Sequence, residues 1–415
     1  MKKLSAPRIS IDRLWSDLTE LGKIGENANG GRTRLALSAE DHKARSLLIS
    51  KMREAGLEVR VDKAGNIIGR RKGIDDSSKI VAFGSHIDTV PNAGMFDGCL
   101  GVLAGLEVVR TLNESNIVTN HPLELICFSN EEGVRFPLMT GSRVATGSLP
   151  LEEAYSQRDS SNITYLEALR SGGLNPENLA VPLRKKGEFK AWVELHIEQG
   201  PLLYSEKVNI GVVQAIAGIS QWLLEIGGKS GHAGTTPMRL RKDPVIGVAK
   251  IVLEINRMAK EGGEGVFGTV GIVKTFPSAI NVIANKAETS IDFRDIVKER
   301  LDQSRVKIMK YVDETLSELG LSYTIKERAR LEPTPMSKLV IDAVVSAAEK
   351  LGVSYRLMPS GAVHDTQNMA RVSDVGMIFV PSRDGVSHAP DEWTDARDVE
   401  NGANVLLHTI LQLAS

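Results

Sequence analysis

The sequence predicts an α/β protein: a mixed, mostly parallel sheet built from both ends of the chain and interrupted by a smaller α+β domain. Three observations carry this. The apolar runs Lys79–Gly84 and Leu123–Ser129 are short and nearly continuous, as expected of strands buried on both faces. A helical pattern over Gly101–Asn113 lies between them, which is the spacing of a βαβ unit. From about Gln214 the order changes to β-α-β-β-α-β, the ferredoxin-like split pattern.

The elements follow in chain order. Ile11–Glu26 has apolar residues at helical spacing. Ser38–Gly56 opens on a serine cap with Glu40 and Asp41 in its first turn, and closes at Gly56. Strand-like pieces follow at Leu57–Asp62 and Asn66–Arg71, then the βαβ unit, then Ala191–Val193. In the interrupting segment, strands are expected at Gln221–Gly227, Gly268–Phe276, Lys286–Asp295 and Leu321–Arg328. Its helices are expected at Pro244–Lys260 and Glu299–Gly320. After Pro333 come a helix at Ser337–Leu351, strands at Val353–Met358 and Gly376–Val380, and a helix from about Val399 to Leu413. The domains are therefore 1–213 with 330–415, and 214–329 inserted between them.

Composition narrows the class. The chain has 415 residues, 51 Lys+Arg against 52 Asp+Glu, 42% hydrophobic residues and two cysteines. A formal charge of -1 leaves no basic footprint for nucleic acid or anionic membrane. No apolar run approaches the ~18 residues that span a bilayer. The start, MKKLSAPRIS, has no apolar core, so no secretory signal is expected. Two cysteines make no disulfide framework. These features point to a cytoplasmic enzyme or large binding protein.

The eight histidines are unusual in placement. His42 and His408 sit in helical patterns and His121 precedes a proline, so these three read as structural or solvated. The other five sit in compact polar motifs, most directly after an apolar strand. Gly84-Ser85-His86-Ile87-Asp88-Thr89 ends the first buried strand, where open α/β sheets bind ligands. Strand alternation puts His86 and Asp88 on one side, and Asp88 can then accept the ring N–H that faces away from a metal. Phe96-Asp97-Gly98 follows. Ser129-Asn130-Glu131-Glu132-Gly133 ends the second buried strand. Enclosed, its adjacent carboxylates need a cation or proton to offset their repulsion. Glu194-Leu195-His196-Ile197-Glu198-Gln199-Gly200 and Val386-Ser387-His388-Ala389-Pro390 complete the set. Mixed imidazole and carboxylate donors suit zinc and its neighbours. Five side chains suffice for two metals if one aspartate bridges, and such a pair can activate water and polarise a carbonyl.

Taken together, GSHIDTV, FDG, NEEG, HIEQG, GHAGTTPM and SHAPDEW resemble the M20 metallopeptidase clan. The resemblance runs from about residue 10 to 410 and is to the amidase/carbamoylase branch: N-carbamoyl-L-amino acid hydrolases, allantoate amidohydrolases and β-ureidopropionases. It implies a di-metal catalytic domain and a lid or dimerisation domain. His86 and His196 would bind one metal, Glu132 and His388 the other, and Asp97 would bridge. Glu131 would be the general base, moving a proton from the attacking water to the leaving nitrogen. His232, in Gly231-His232-Ala233-Gly234, would stabilise the oxyanion from the partner subunit of a homodimer. Asn281 and Arg294 would hold the substrate carboxylate, and Arg suits this through its two-pronged donor geometry. Gln199 would contact the ureido group. Backbone N–H groups around Gly361 could hold a carboxylate. This chain has Val363 and Thr366 where the family usually has Gly and Ala, so His364 is left unassigned. Two divalent ions per subunit are implied, from zinc, manganese, cobalt or nickel.

The activity this implies is hydrolysis of an N-carbamoyl-L-α-amino acid to the amino acid, ammonia and carbon dioxide. Allantoate amidohydrolase is the alternative, and β-ureidopropionase a third. A non-catalytic binding protein on the same fold should have lost a ligand or the base, and none is lost here.

Overall fold

The computed structural model describes residues 6–415. They form two compact units. One contains the chain up to Gln214, Met336–Met358 and His364–Ser415; the other contains Ala215–Pro335 and Pro359–Val363.

In the first unit the strands lie in the order Glu58–Val61, Ile67–Arg71, Leu123–Phe128, Ile80–His86, Phe189–Ile197, Val375–Val380, Ile210–Ile216. The four from Leu123–Phe128 to Val375–Val380 are mutually parallel. Every residue of Ile80–His86, Leu123–Phe128 and Val375–Val380 is buried, because helices cover the sheet. The core joins Val81, Phe83, Leu125, Val193 and Ile378 of the strands to Leu14, Val102, Leu106, Val344 and Leu406 of the helices. Each such side chain stabilises the fold by roughly 1.5–3 kcal/mol relative to exposure. The helix Cys99–Glu114 comes unusually close to the sheet: a Cβ on Gly101 would lie 2.3 Å from the Leu195 carbonyl oxygen.

The second unit is an antiparallel sheet with helices on one face. Along Lys286–Asp295, residues alternate between half-buried and buried. Ala287, Ile291 and Phe293 pack on Ile251 and Ile255 of the helix Pro244–Gly262, and on Ile308 and Val312 of the helix Lys298–Glu318. Lys286, Glu288, Ser290, Asp292 and Arg294 occupy the opposite face.

Several elements differ from the sequence reading. The strand Ile210–Ile216 goes unpredicted, because its apolar run passes into Gly218–Gly227 with no strong turn signal between them. The single strand expected at Gly268–Phe276 is two, Val266–Thr269 and Val273–Phe276, separated around Gly271, and glycine weakens a strand interior. Pro359–Val363, read as part of the first domain, groups with the second unit. Ala217 N–H donates to the Ser360 carbonyl at 2.9 Å, and Arg294 Nη1 to the Gly361 carbonyl at 2.7 Å. Among the described residues, no helix is long and apolar enough to cross a membrane.

Candidate metal centre

The four parallel strands end on the same edge, and the loops after them carry the polar motifs. His86 is the last residue of its strand, and His196 the last but one of the neighbouring strand. Glu131 and Glu132 follow Leu123–Phe128, and His388 follows Val375–Val380. Asp97 enters from the turn before the helix Cys99–Glu114. Gly98 shapes that turn at φ 62°, and a Cβ there would lie 2.4 Å from the His86 ring.

The Asp97 carboxylate is divided between two sets of partners. Its Oδ1 lies 3.5 Å from His86 Nε2 and 3.2 Å from His196 Nε2. Its Oδ2 lies 3.3 Å from His388 Nε2, and accepts from Gln199 Nε2 at 2.7 Å and Ser387 Oγ at 3.1 Å. Glu132 Oε2 is 3.6 Å from His388 Nε2. Two donor groups that could hold a metal therefore share one residue: His86, Asp97 and His196, and Asp97, Glu132 and His388. Glu131 Oε2 stands 3.7 Å from His86 Nε2.

The ring nitrogens away from Asp97 are tied to backbone carbonyls. His196 Nδ1 meets the Ile197 carbonyl at 2.9 Å and His86 Nδ1 the Asp88 carbonyl at 3.0 Å. Such bonds place the proton on Nδ1 and leave the Nε2 lone pair facing the centre. Asp88 thus meets the His86 ring as expected, but through its backbone carbonyl and not its carboxylate. The Asp88 carboxylate is 3.8 Å from the ring, and its oxygens instead accept the Glu131 and Glu132 backbone N–H groups at 3.2 Å each. The strand stops at His86, so alternation no longer aims Asp88 at the ring.

Charge at this site is poorly balanced by protein alone. Burial and then the Asp97 charge push Glu132 up to about 8. Burial pushes Glu131 well above the carboxylate range. The hydrogen bond to Asp97 raises His388 to about 9. Burial opposes ionisation of Asp97, but His196, His388 and His86 outweigh it and hold Asp97 well below its usual range. Glu132 Oε1 is buried with no hydrogen-bond partner. An orphaned carboxylate oxygen, Nε2 lone pairs facing inward and crowded carboxylates suit a divalent cation.

One residue, Glu392, supports the centre without having been singled out in the sequence. Glu392 Oε1 accepts the Phe96 and Asp97 N–H groups at 3.0 and 3.1 Å, and its Oε2 lies 3.0 Å from Ser387 Oγ, whose single proton is shared between Glu392 and Asp97. It thus joins the loop carrying Asp97 to the loop carrying His388. Its place within SHAPDEW was the available signal. Gln199 and His388 both have left-handed backbones, with φ 57° and 56°, where non-glycine residues are uncommon.

The remaining motif residues fall elsewhere. His232 and Asn281 come together in the second unit, where Val282 pairs with His232 and the Asn281 carbonyl accepts from Ala233. Arg294 and Gly361 also come together there. His42, His121 and His408 bond to the carbonyls of Ala168, Lys79 and Pro7. His364 is buried, with its ring T-stacked on His196 at 4.6 Å. Thr366 donates to Glu194 Oε2 at 2.6 Å and accepts from Trp192 Nε1 at 2.8 Å. Glu194 Oε1 takes the Ser85 hydroxyl at 2.7 Å, so both its oxygens are occupied by hydrogen bonds.

Residues 82–412 match peptidase family M20/M25/M40. The chain belongs to this family. It is 44% identical over 407 residues to the N-carbamoyl-L-amino acid amidohydrolase of Geobacillus stearothermophilus, covering 98% of this chain and 99% of that protein. It is 35% identical over 409 residues to the allantoate amidohydrolase of Bacillus subtilis (strain 168), covering 98% and 99%. Among solved structures it is similar to an amidase of the hydantoinase/carbamoylase family from Burkholderia multivorans. There the TM-score is 0.94 at 37% identity, with 98% of each chain covered. Membership brings the candidate donor groups together with a hydrolase family, and these M20 relatives are amidohydrolases acting on C–N bonds outside peptides.

Proposed function

We propose that this protein hydrolyses the ureido group of N-carbamoyl-L-α-amino acids, giving the amino acid, ammonia and carbon dioxide. The divided carboxylate of Asp97 carries the reading. One residue serving two donor groups, with a buried carboxylate beside it, is the arrangement needed to activate water next to a polarised carbonyl.

His86 and His196 would hold one divalent cation, Glu132 and His388 a second, with Asp97 shared. When bound, the pair supplies Lewis acidity to the carbonyl and lowers the pKa of the attacking water. Glu131, beside His86 and Glu132, takes the proton from that water and delivers it to the departing nitrogen. Gln199 is tied to Asp97 and His388 and would face the ureido group. His232, contributed by the partner of a homodimer, donates to the oxyanion. Arg294, Asn281 and the backbone at Gly361 hold the carboxylate.

A second reading, allantoate as substrate, is favoured by the similarity to the Bacillus subtilis enzyme. One assay separates them: ammonia release from N-carbamoyl-L-methionine, N-carbamoyl-β-alanine and allantoate, with Mn²⁺ and with Zn²⁺. The carbamoyl amino acid should turn over fastest, and Glu131→Gln should lower the rate by about 100-fold or more. Faster turnover of allantoate would replace the first reading by the second. No ammonia from any of the three would remove both.

A further inference from the structure

Arg294 is not a free cation waiting for an anion. It lies on the half-exposed face of the strand Lys286–Asp295, and Asp292, two residues earlier, shares that face. The Asp292 carboxylate accepts from Arg294 Nε at 2.9 Å and Nη2 at 2.8 Å, a side-on pair. Gln221 stands directly opposite Asp292 across the antiparallel ladder, and its Nε2 donates to Asp292 Oδ2 at 2.7 Å. Arg294 Nη1 donates to the Gly361 carbonyl at 2.7 Å.

A guanidinium has five N–H donors in a rigid fork. Three are used in these bonds. The two that remain are one on Nη1 and one on Nη2, and a guanidinium can bind the two oxygens of a single carboxylate through one N–H on each of these nitrogens. An incidental ion pair between strand neighbours would need neither the cross-strand glutamine nor the second anchor at Gly361. Arg294 and Asp292 are also only 28% and 23% exposed, so solvent competes less for them than for surface pairs. Burial would push the Asp292 carboxyl up, but its bond to Arg294 outweighs this and keeps it below the usual range.

We infer that Asp292, buttressed by Gln221, is a positioning residue that fixes the Arg294 fork for one substrate carboxylate. This rests on the reading of Arg294 as the carboxylate donor. Asp292 cancels much of the arginine's charge, so selectivity for the acid comes from geometry. The arginine loses its rotamer freedom before substrate arrives, which lowers the cost of binding.

The test compares an N-carbamoyl-L-amino acid with its carboxamide counterpart, which differs only in lacking the carboxylate. The readout is the ratio of their kcat/KM values, measured on the metal-loaded protein and on Arg294→Ala, Asp292→Ala, Asp292→Asn and Gln221→Ala. Thermal melts confirm that each variant is folded. The wild-type protein should prefer the acid. Asp292→Ala should lower that preference by about tenfold, mainly through KM, with Asp292→Asn between it and wild type and Gln221→Ala smaller still. Arg294→Ala should abolish the preference. If Arg294→Ala leaves the ratio unchanged, the carboxylate reading of Arg294 fails and the inference with it. If Arg294→Ala abolishes the preference while Asp292→Ala leaves the ratio intact, the inference alone is overturned. Equal losses on acid and carboxamide in Asp292→Ala also overturn it, because they show general damage.

Discussion

Asp97 and Glu392 show how single side chains divide their work at this centre. Asp97 gives one oxygen to His86 and His196 and the other to His388. Glu392 holds the backbone of Asp97 and the hydroxyl of Ser387, fixing both loops relative to one another. Residues that orient metal ligands affect affinity nearly as much as the ligands themselves. Glu392→Ala should therefore weaken metal binding by about 10- to 100-fold in a competition titration with a chelating dye. The candidate donors His86, Asp97, Glu132, His196 and His388 could be singled out in the sequence because they sit in short polar motifs, most of which follow an apolar strand. The supporting bonds could not. Glu392 reaches residues 295 and 296 positions away, a distance only the fold closes. Asp88 was expected to use its carboxylate on His86 and uses its carbonyl, a choice set by where the strand ends.

Among the elements, the parallel strands were the easiest to read and the division of Ile210–Ile216 from Gly218–Gly227 the hardest. Buried parallel strands leave continuous apolar runs, so Leu123–Phe128 and Val375–Val380 stand out. Ile210–Ile216 is equally apolar but has no punctuation separating it from its successor, and periodicity alone cannot divide such a run. The helix Cys99–Glu114 depends on glycine in a way that apolar pattern does not reveal. A methyl at Gly101 meets the Leu195 carbonyl, so the helix must move off the strand that carries His196. Gly101→Ala should cost about 1–3 kcal/mol of stability in urea denaturation, as overpacking does. An unchanged midpoint would show that the helix is not held at glycine distance.

At the scale of the whole molecule, the chain divides its proposed work between two units with different architectures. The parallel sheet gathers donors at one edge. The antiparallel unit carries His232, Asn281 and Arg294. The proposed contribution of His232 from a partner subunit has a specific consequence. Mixing inactive Glu131→Gln with inactive His232→Ala and allowing subunits to exchange should restore activity, because one site in the mixed dimer then has both intact residues. A mixture that stays inactive after exchange places His232 in its own subunit's site, or outside the chemistry. The opposing charges in the sequence nearly cancel, with 51 basic against 52 acidic residues, yet the balance is local as well as global. Arginines meet carboxylates over much of the surface, whereas at the strand ends Asp97, Glu131 and Glu132 face mainly histidines. That local excess of carboxylate is what a pair of cations would offset. The most direct measurement is the metal content of the purified protein, stripped and reloaded with Zn²⁺, by elemental analysis per chain. The account predicts about two ions in the wild-type protein, as in other shared-carboxylate pairs, and loss from both positions in Asp97→Ala. A single ion in the wild-type chain, or two retained after Asp97→Ala, would contradict it.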